Sequence, residues 1–141
     1  VTQAFSKPFL LAVRSHNPLM QFLHEDDLVD IILTCLKTNA SGIYNIAGRE
    51  PVSWREMVRM FNRRLITLPA PIVYGLIKLA WELRLQRDSP ASGLDYIRYP
   101  WLASTDKIER EFGFQFRYSS QESLEAFWGN ASGVQSLKRA L

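Results

Sequence analysis

The chain has 141 residues, 47% of them hydrophobic, which is enough for one sizeable core and argues against two. No apolar run approaches the roughly 18 residues of a membrane-spanning helix and the first residues do not form a signal peptide, so we expect a soluble, cytoplasmic protein without a membrane partner. A single cysteine excludes an internal disulfide, and a formal charge of +3 spread over predicted helices favours solvated helix surfaces over a nucleic-acid interface.

The N-terminal third predicts two short strands and a helix. Residues 9–14 form an apolar run between a proline and a Ser-His-Asn-Pro turn, which is typical of a strand. Residues 20–24 form a second extended run, a candidate to pair with the first as a hairpin. From Glu25 to Leu36 apolar residues recur at helical spacing, and three acidic residues stand at the positive end of the helix dipole.

The middle of the chain predicts a strand and two helices. Ile43–Ala47 is a short run closed by a glycine and indicates a third strand. Ser53 and Glu56 have the spacing of a capping box, and apolar residues follow at helical intervals. Pro71–Leu85 predicts a third helix that is apolar over more than half its circumference. Such a helix must be covered on two sides or bind a partner.

The last third contains a loop and two further helices. Residues 87–93 are rich in serine and predict a flexible loop, while residues 94–100 fit either a short helix or a lid. Ser104 is positioned to cap a short helix that Gly113 ends. A second capping box, Ser119-x-x-Glu122, opens the closing helix.

These elements predict an α+β fold class. We expect a helix-rich domain with about four to five helices and a few short strands. The domain is expected to span residues 1–128, with residues 129–141 as a tail. No internal repeat or low-complexity segment interrupts it.

Several segments resemble one enzyme family. His24-Glu25-Asp26-Asp27, at a predicted strand-to-helix junction, is similar to the His-x-Asp-Asp junction in the second half of extended short-chain dehydrogenase/reductases, the NAD-dependent epimerases and dehydratases. Residues 42–48 and the helix after Ser53 resemble the family's late strand and the helix that follows it. Residues 105–114 and 119–127 resemble its Lys-x-x-x-Glu-Leu-Gly-Phe segment, with Phe112 in place of the leucine, and its closing helix.

The resemblance implies that this chain is the C-terminal, substrate-binding part of such an enzyme without its Rossmann half. The parent would use NAD or NADP to act on a sugar or nucleotide-sugar substrate. No Gly-x-x-Gly-x-x-Gly turn follows a strand here, so we expect no cofactor to bind this chain alone and no reaction from it.

No catalytic or metal-binding residue is predicted. The family's Tyr-x-x-x-Lys belongs to the other half, and Tyr74-x-x-x-Lys78 follows the late strand in a helix full of core residues, which favours packing. The acidic residues after His24 point in different directions at a helix start, so they favour helix capping over metal binding.

Seven residues are candidates for substrate contact. Many family members have an arginine four residues before the junction histidine, where it grips a pyrophosphate, and Met20 occupies that position here, which argues against a nucleotide-sugar. Arg98, Arg14 or Arg49 could replace it. Loop-like character makes residues 96–101 the first choice for substrate contact, with core packing as the alternative for the aromatic residues. The candidates are Met20, Phe22, His24, Tyr96, Arg98, Tyr99 and Trp101.

Two other functions fit the same residues. A non-catalytic interaction module would use the wide apolar face of Pro71–Leu85, and homo-oligomers would form through that helix or through Ile43–Ala47 as an uncovered sheet edge. A small basic nucleic-acid-binding domain would use the arginines interleaved with aromatic residues around Arg98 and Arg117.

Overall fold

The computed structural model describes residues 8–39, 41–85 and 91–129. In chain order the elements are β1 (Phe9–Val13), β2 (Leu19–Met20), α1 (Glu25–Lys37), β3 (Val52–Ser53), α2 (Trp54–Met60), β4 (Arg64–Leu68), α3 (Ala70–Glu82), a 3-10 helix (Ala91–Ile97), α4 (Asp106–Phe112) and α5 (120–129). Five α-helices and a few short strands in these ranges confirm the predicted α+β class. Within them, no helix has the length and apolarity needed to cross a bilayer.

The chain divides into two compact units, each made of two segments. Unit 1 consists of Val1–Met20 and Ser53–Trp101, and unit 2 consists of Gln21–Val52 and Leu102–Leu141. The predicted tail lies outside the described residues from position 130 onward, as do residues 87–90 of the predicted loop.

Unit 1 is built on a parallel pair of strands. β1 pairs with β4, with Phe9 opposite Arg64 and Val13 opposite Leu68. The predicted hairpin between residues 9–14 and 20–24 is therefore wrong. The hairpin assumed that sequence neighbours pair, whereas parallel strands need a long connection that usually contains a helix, and here the connection includes α2.

The core of unit 1 forms where α2 and α3 meet this strand pair. The Trp54 indole N–H donates to the Leu11 carbonyl at 3.0 Å, which attaches the start of α2 to β1. The buried apolar residues of the unit are Leu10, Ala12, Val13, Met20, Trp54, Met57, Val58, Phe61, Val73 and Leu94.

The first capping box is confirmed. The Ser53 hydroxyl accepts from the Glu56 N–H at 3.3 Å, and the Glu56 carboxylate accepts from the Ser53 N–H at 2.9 Å. Hydrogen bonds from the Ser53 side chain and backbone lower the pKa of Glu56 below its ordinary value. The sequence therefore located the start of α2 correctly.

α3 and the 3-10 helix follow the predictions less closely. α3 runs from Ala70 to Glu82 with a proline at its first turn, and Val73 is its buried residue. A 3-10 helix spans Ala91–Ile97. It includes residues 94–97 of the segment predicted as a short helix or a lid, and residues 91–93 of the predicted loop.

Unit 2 is organised by the first turn of α1. Asp27 is fully buried, and its two carboxylate oxygens accept from the backbone N–H groups of Arg117 at 3.1 Å and Tyr118 at 3.2 Å. Before it, the His24 ring nitrogen Nδ1 accepts from the Asp26 N–H at 3.2 Å, so the histidine caps the helix. One turn further, Ile31 packs with Ile108 and Phe116 in the core of this unit.

The predicted strand Ile43–Ala47 is wrong, since no strand is found between residues 41 and 48. Ile43 is 88% exposed, and its carbonyl accepts from the Lys107 ammonium group at 3.1 Å. Tyr44 stands beside Phe112 with ring centroids 5.1 Å apart and donates to Glu111 at 2.8 Å. A strand needs a backbone partner, and in the described residues side chains supply these contacts.

The sequence indicates the end of α4 and the start of α5 correctly, whereas the N-cap of α4 is Thr105, one residue after the predicted Ser104. The Ser104 hydroxyl accepts from the Asp106 N–H at 3.3 Å, and Gly113 ends α4 with a φ of 62°. Ser119 and Glu122 form the second capping box: the carboxylate accepts from the Ser119 N–H at 2.8 Å, and the hydroxyl accepts from the Glu122 N–H at 3.2 Å.

Gly48 allows two backbones to approach closely in unit 2. A Cβ placed there would lie 1.8 Å from the Phe22 carbonyl oxygen. The Phe22 N–H donates to the Ser120 hydroxyl at 3.1 Å, and that hydroxyl donates to the Arg49 carbonyl at 2.9 Å. A side chain at position 48 would therefore separate the elements that this serine connects.

Asp27→Ala tests the contribution of the buried carboxylate. We expect it to lower the free energy of unfolding by about 3 kcal/mol, because two partly buried N–H groups lose a charged acceptor. Urea denaturation followed by circular dichroism measures the loss. Asp26→Ala, at a side chain that is 54% exposed, is the control and should cost much less. Equal losses in the two variants would show that the buried contacts of Asp27 add no more to the free energy of unfolding than the exposed side chain of Asp26.

Gly48→Ala should destabilise the chain by about 3 kcal/mol, since backbone atoms cannot move aside as a flexible side chain can. Gly75→Ala in α3, where a Cβ meets nothing within 4 Å, is the matched control and should stabilise the chain by about 0.5–1 kcal/mol through helix propensity. Thermal and urea unfolding of both variants measure these changes. A Gly48→Ala protein as stable as the wild type would contradict the close approach of the Phe22 backbone to position 48.

Candidate functional site

Four of the seven candidate residues lie together in unit 1, at the end of the 3-10 helix and just after it. Tyr96, Tyr99 and Trp101 are 59%, 50% and 38% exposed, so each presents ring surface to solvent. The Trp101 indole N–H donates to the Tyr96 carbonyl at 3.1 Å, and the two rings lie 5.5 Å apart at 61°. The Trp101 backbone N–H donates to the Leu19 carbonyl at 3.1 Å, which attaches the segment to β2.

Arg98 is held by the adjacent Tyr99 and by groups from two other parts of unit 1. Its Nε lies 3.4 Å from His16 Nε2, and its guanidinium carbon lies 5.0 Å from the centroid of the Tyr99 ring and 5.9 Å from that of Tyr74. The Tyr74 hydroxyl donates to the Asp95 carboxylate. We refer to His16, Tyr74, Asp95, Arg98 and Tyr99 as the arginine cluster.

The electrostatics of the cluster keep Tyr74 protonated. Its hydrogen bond to Asp95 raises the pKa of Tyr74 above the ordinary value of 10.0. The hydrogen bond with Tyr74 in turn raises the pKa of Arg98, so the guanidinium stays charged. The cluster therefore presents a permanent cation, a neutral phenol and aromatic surface.

The structure does not bring Tyr74 and Lys78 together as a proton-transfer pair. Lys78 is exposed and its ammonium group lies 3.9 Å from the Glu82 carboxylate. Tyr74 faces Asp95, and a raised pKa is the opposite of what a tyrosine base requires.

The other three candidate residues lie elsewhere. Met20 is fully buried in unit 1, so its side chain offers no surface to a ligand. His24 and Phe22 belong to unit 2, where the His24 ring stacks on Tyr118 with centroids 3.8 Å apart. The His24 side chain is thus occupied by helix capping and stacking.

Unit 2 carries a separate polar depression with a volume of 410 Å³. Two of its charged groups are engaged: Arg117 pairs with Asp30 at 2.6 Å, and the Ser119 hydrogen bonds lower the pKa of Glu122. The lining residues are Arg49, Glu50, Arg117, Tyr118, Ser119, Gln121 and Glu122. No group of three or more metal-ligating side chains is found in the part of the chain that the structure describes.

The arginine cluster and the neighbouring rings of Tyr96 and Trp101 offer two means of recognising a ligand. A guanidinium binds carboxylate or phosphate oxygens with directed, charge-assisted hydrogen bonds. The exposed faces of Tyr96 and Trp101 supply flat apolar surface of the kind that suits a sugar ring, with polar tips nearby. Sequence reasoning found Arg98 and the aromatic residues but missed His16 and Asp95, since nothing in the local pattern shows that they approach Arg98 and Tyr74.

No family model, curated protein or solved structure matches this chain. The function is therefore argued from its residues and their geometry.

Asp95→Asn tests the electrostatics of the cluster. In the folded wild type, we expect the pKa of Tyr74 to lie above 10.0. Its contribution to stability is therefore present below pH 10.0 and is lost as the pH rises from there through the raised pKa. The variant should move the midpoint down, because the carboxylate no longer holds the phenolic proton. NMR of ¹³Cζ-labelled tyrosine measures both midpoints. Asp106→Asn, in unit 2, is the control and should leave Tyr74 unchanged; an unchanged midpoint in Asp95→Asn would contradict the assigned cause.

Proposed function

We propose that this chain is the C-terminal, substrate-binding part of an NAD(P)-dependent epimerase or dehydratase of the extended short-chain dehydrogenase/reductase type. Its partner is the dinucleotide-binding half of the same enzyme, and its substrate is a sugar or a nucleotide-sugar. The observation that carries the proposal is the exposed apolar surface of unit 2, which fits a surface that the other half covers.

That surface lies on the outer side of α1. Monomeric proteins rarely expose large contiguous apolar patches, and such patches usually mark an interface. The exposed apolar residues of the helix are Leu28, Val29, Ile32, Leu33 and Leu36. The opposite side of α1 carries Asp27 and Ile31, which face the core. The helix is therefore buried along one side and exposes apolar side chains on the other, as expected for an element between two layers.

Residues 43–47 are a second feature that fits the dinucleotide-binding half as the partner. The resemblance implies that this segment is a strand of the large parallel sheet in the complete enzyme. Here Ile43 is 88% exposed and the segment is not a strand. A segment with strand-like composition but without a pairing neighbour is what remains when its sheet is supplied by another part of the protein.

In the complete enzyme, NAD or NADP would take a hydride from the sugar and return it. The residues of this chain bind and orient the substrate. Tyr96 and Trp101 offer ring faces to the sugar, and Arg98 is positioned to bind a carboxylate or phosphate group on it. In this assignment Arg98 binds the charged group of the substrate, which the buried side chain of Met20 cannot do.

Joining this chain to the polypeptide that its gene encodes before Val1 tests the proposal. The longer protein should bind NADH saturably, with enhanced fluorescence, and the isolated chain should not. An upstream segment without a Gly-rich strand-turn-helix, or saturable NADH binding by the isolated chain, would refute the assignment.

Ile32→Glu tests which surface the other half covers. Ile32 is half exposed in this structure, so the change should alter the stability of the isolated chain by no more than about 0.5 kcal/mol. In the longer protein it should cost about 3 kcal/mol, since an unpaired charge would be buried. Gln115→Glu, at an exposed position between α4 and α5, is the control for added charge. Equal effects of Ile32→Glu in both proteins would contradict the proposal that the other half covers the outer side of α1.

A second candidate is an interaction module that acts through α3. Ile72, Leu76 and Leu79 are each at least half exposed, and Trp81 is also exposed. Sedimentation velocity on the isolated chain discriminates this function: a concentration-dependent dimer that Leu76→Glu abolishes favours the module, and a monomer at all concentrations argues against it.

A further inference from the structure

The arginine cluster contains a histidine that no part of the proposed function uses. His16 lies in the turn after β1, where Ser15 adopts a left-handed conformation with a φ of 63° and the His16 N–H donates to the Val13 carbonyl at 3.1 Å. These features fix the backbone that carries the ring. The ring is partly buried and stands edge-on to Tyr99, with centroids 6.4 Å apart.

The neighbours of the ring determine which nitrogen carries the proton. Nδ1 lies 2.9 Å from the Arg14 carbonyl oxygen, which can only accept, so Nδ1 must be the donor. Nε2 lies 3.4 Å from Arg98 Nε, and an arginine nitrogen can only donate. Both contacts are satisfied together only by a neutral ring with its proton on Nδ1.

We propose that His16 is a positioning residue for Arg98, and that it holds the guanidinium only while its ring is neutral. Protonation would put a donor against a donor and a second positive charge beside the guanidinium. Arg98 would then leave the ring and rely on its aromatic neighbours alone.

The other groups around the ring do not offset that charge. Tyr99 faces it with an aromatic edge, and Arg14 contributes its carbonyl. Tyr74 lies beside the Arg98 guanidinium, and its hydroxyl donates to the Asp95 carboxylate, so that carboxylate is already engaged. In this cluster the guanidinium is therefore the group that responds to the charge on His16.

The histidine contact belongs to this chain and needs no substrate to be observed. Its effect on a ligand rests on the proposed function, because Arg98 would then present its charge to the substrate at an angle that depends on pH. Failure of the epimerase or dehydratase assignment would leave the contact itself intact.

NMR on the complete 141-residue chain tests the proposal. We expect a scalar coupling across the hydrogen bond between His16 Nε2 and Arg98 Nε at neutral pH. As acid protonates the His16 ring, the Arg98 Nε–H signal should move together with the His16 ring signals, and the coupling should vanish. An Arg98 signal that ignores the protonation of His16 would overturn the proposal without any variant.

Two variants separate positioning from simple packing. His16→Gln keeps an acceptor at every pH, so the Arg98 signal should stay near its neutral-pH position throughout the titration. His24→Asn, at the only other histidine, keeps a favourable helix cap and should leave the Arg98 titration as in the wild type. Persistence of the Arg98 titration in His16→Gln, or its loss in His24→Asn, would contradict the role assigned to His16.

Discussion

The buried carboxylate of Asp27 is the contact on which unit 2 depends. It joins the first turn of α1 to the backbone of Arg117 and Tyr118, far along the chain. That attachment places the Tyr118 ring on His24 and sets Ser119 at the start of α5. A buried carboxylate with two backbone donors is strongly directional, and losing it would leave both donors without an acceptor. The acidic residues at this helix start therefore have different roles: Asp27 is buried and holds two backbone N–H groups, whereas Asp26 is exposed and accepts from the Tyr118 hydroxyl.

A similar logic of assembly applies to the arginine cluster in unit 1. Arg98 donates to His16 of the turn after β1 and lies near the Tyr74 ring of α3. Asp95 of the 3-10 helix accepts from the tyrosine hydroxyl. Each contact is modest, but together they restrict a long side chain that would otherwise sample many rotamers. An arginine ordered before its ligand arrives loses less conformational entropy on binding, which suits a residue that orients a substrate.

The surfaces of the two units support different parts of the proposed function. In unit 2 the outer side of α1 and Ile43 are apolar and exposed, as expected of a layer that another layer covers. In unit 1 the exposed aromatic rings accompany a fixed cation and hydrogen-bonding groups, as expected of a pocket wall. Both surfaces fit the proposal of a substrate-binding part whose redox chemistry belongs to a dinucleotide-binding half.

Sequence alone determined what depends on near neighbours. Capping boxes at Ser53 and Ser119, the αL glycine at position 113 and the helical periodicity of α1 were readable because each involves residues within one or two turns. Tertiary structure decided what depends on distant partners. The parallel pairing of β1 with β4, the burial of Asp27 and the approach of His16 to Arg98 join segments widely separated along the chain, and no local pattern encodes them. Residues 43–47 show the same limit, since a strand-like composition forms a strand only where a backbone partner is present.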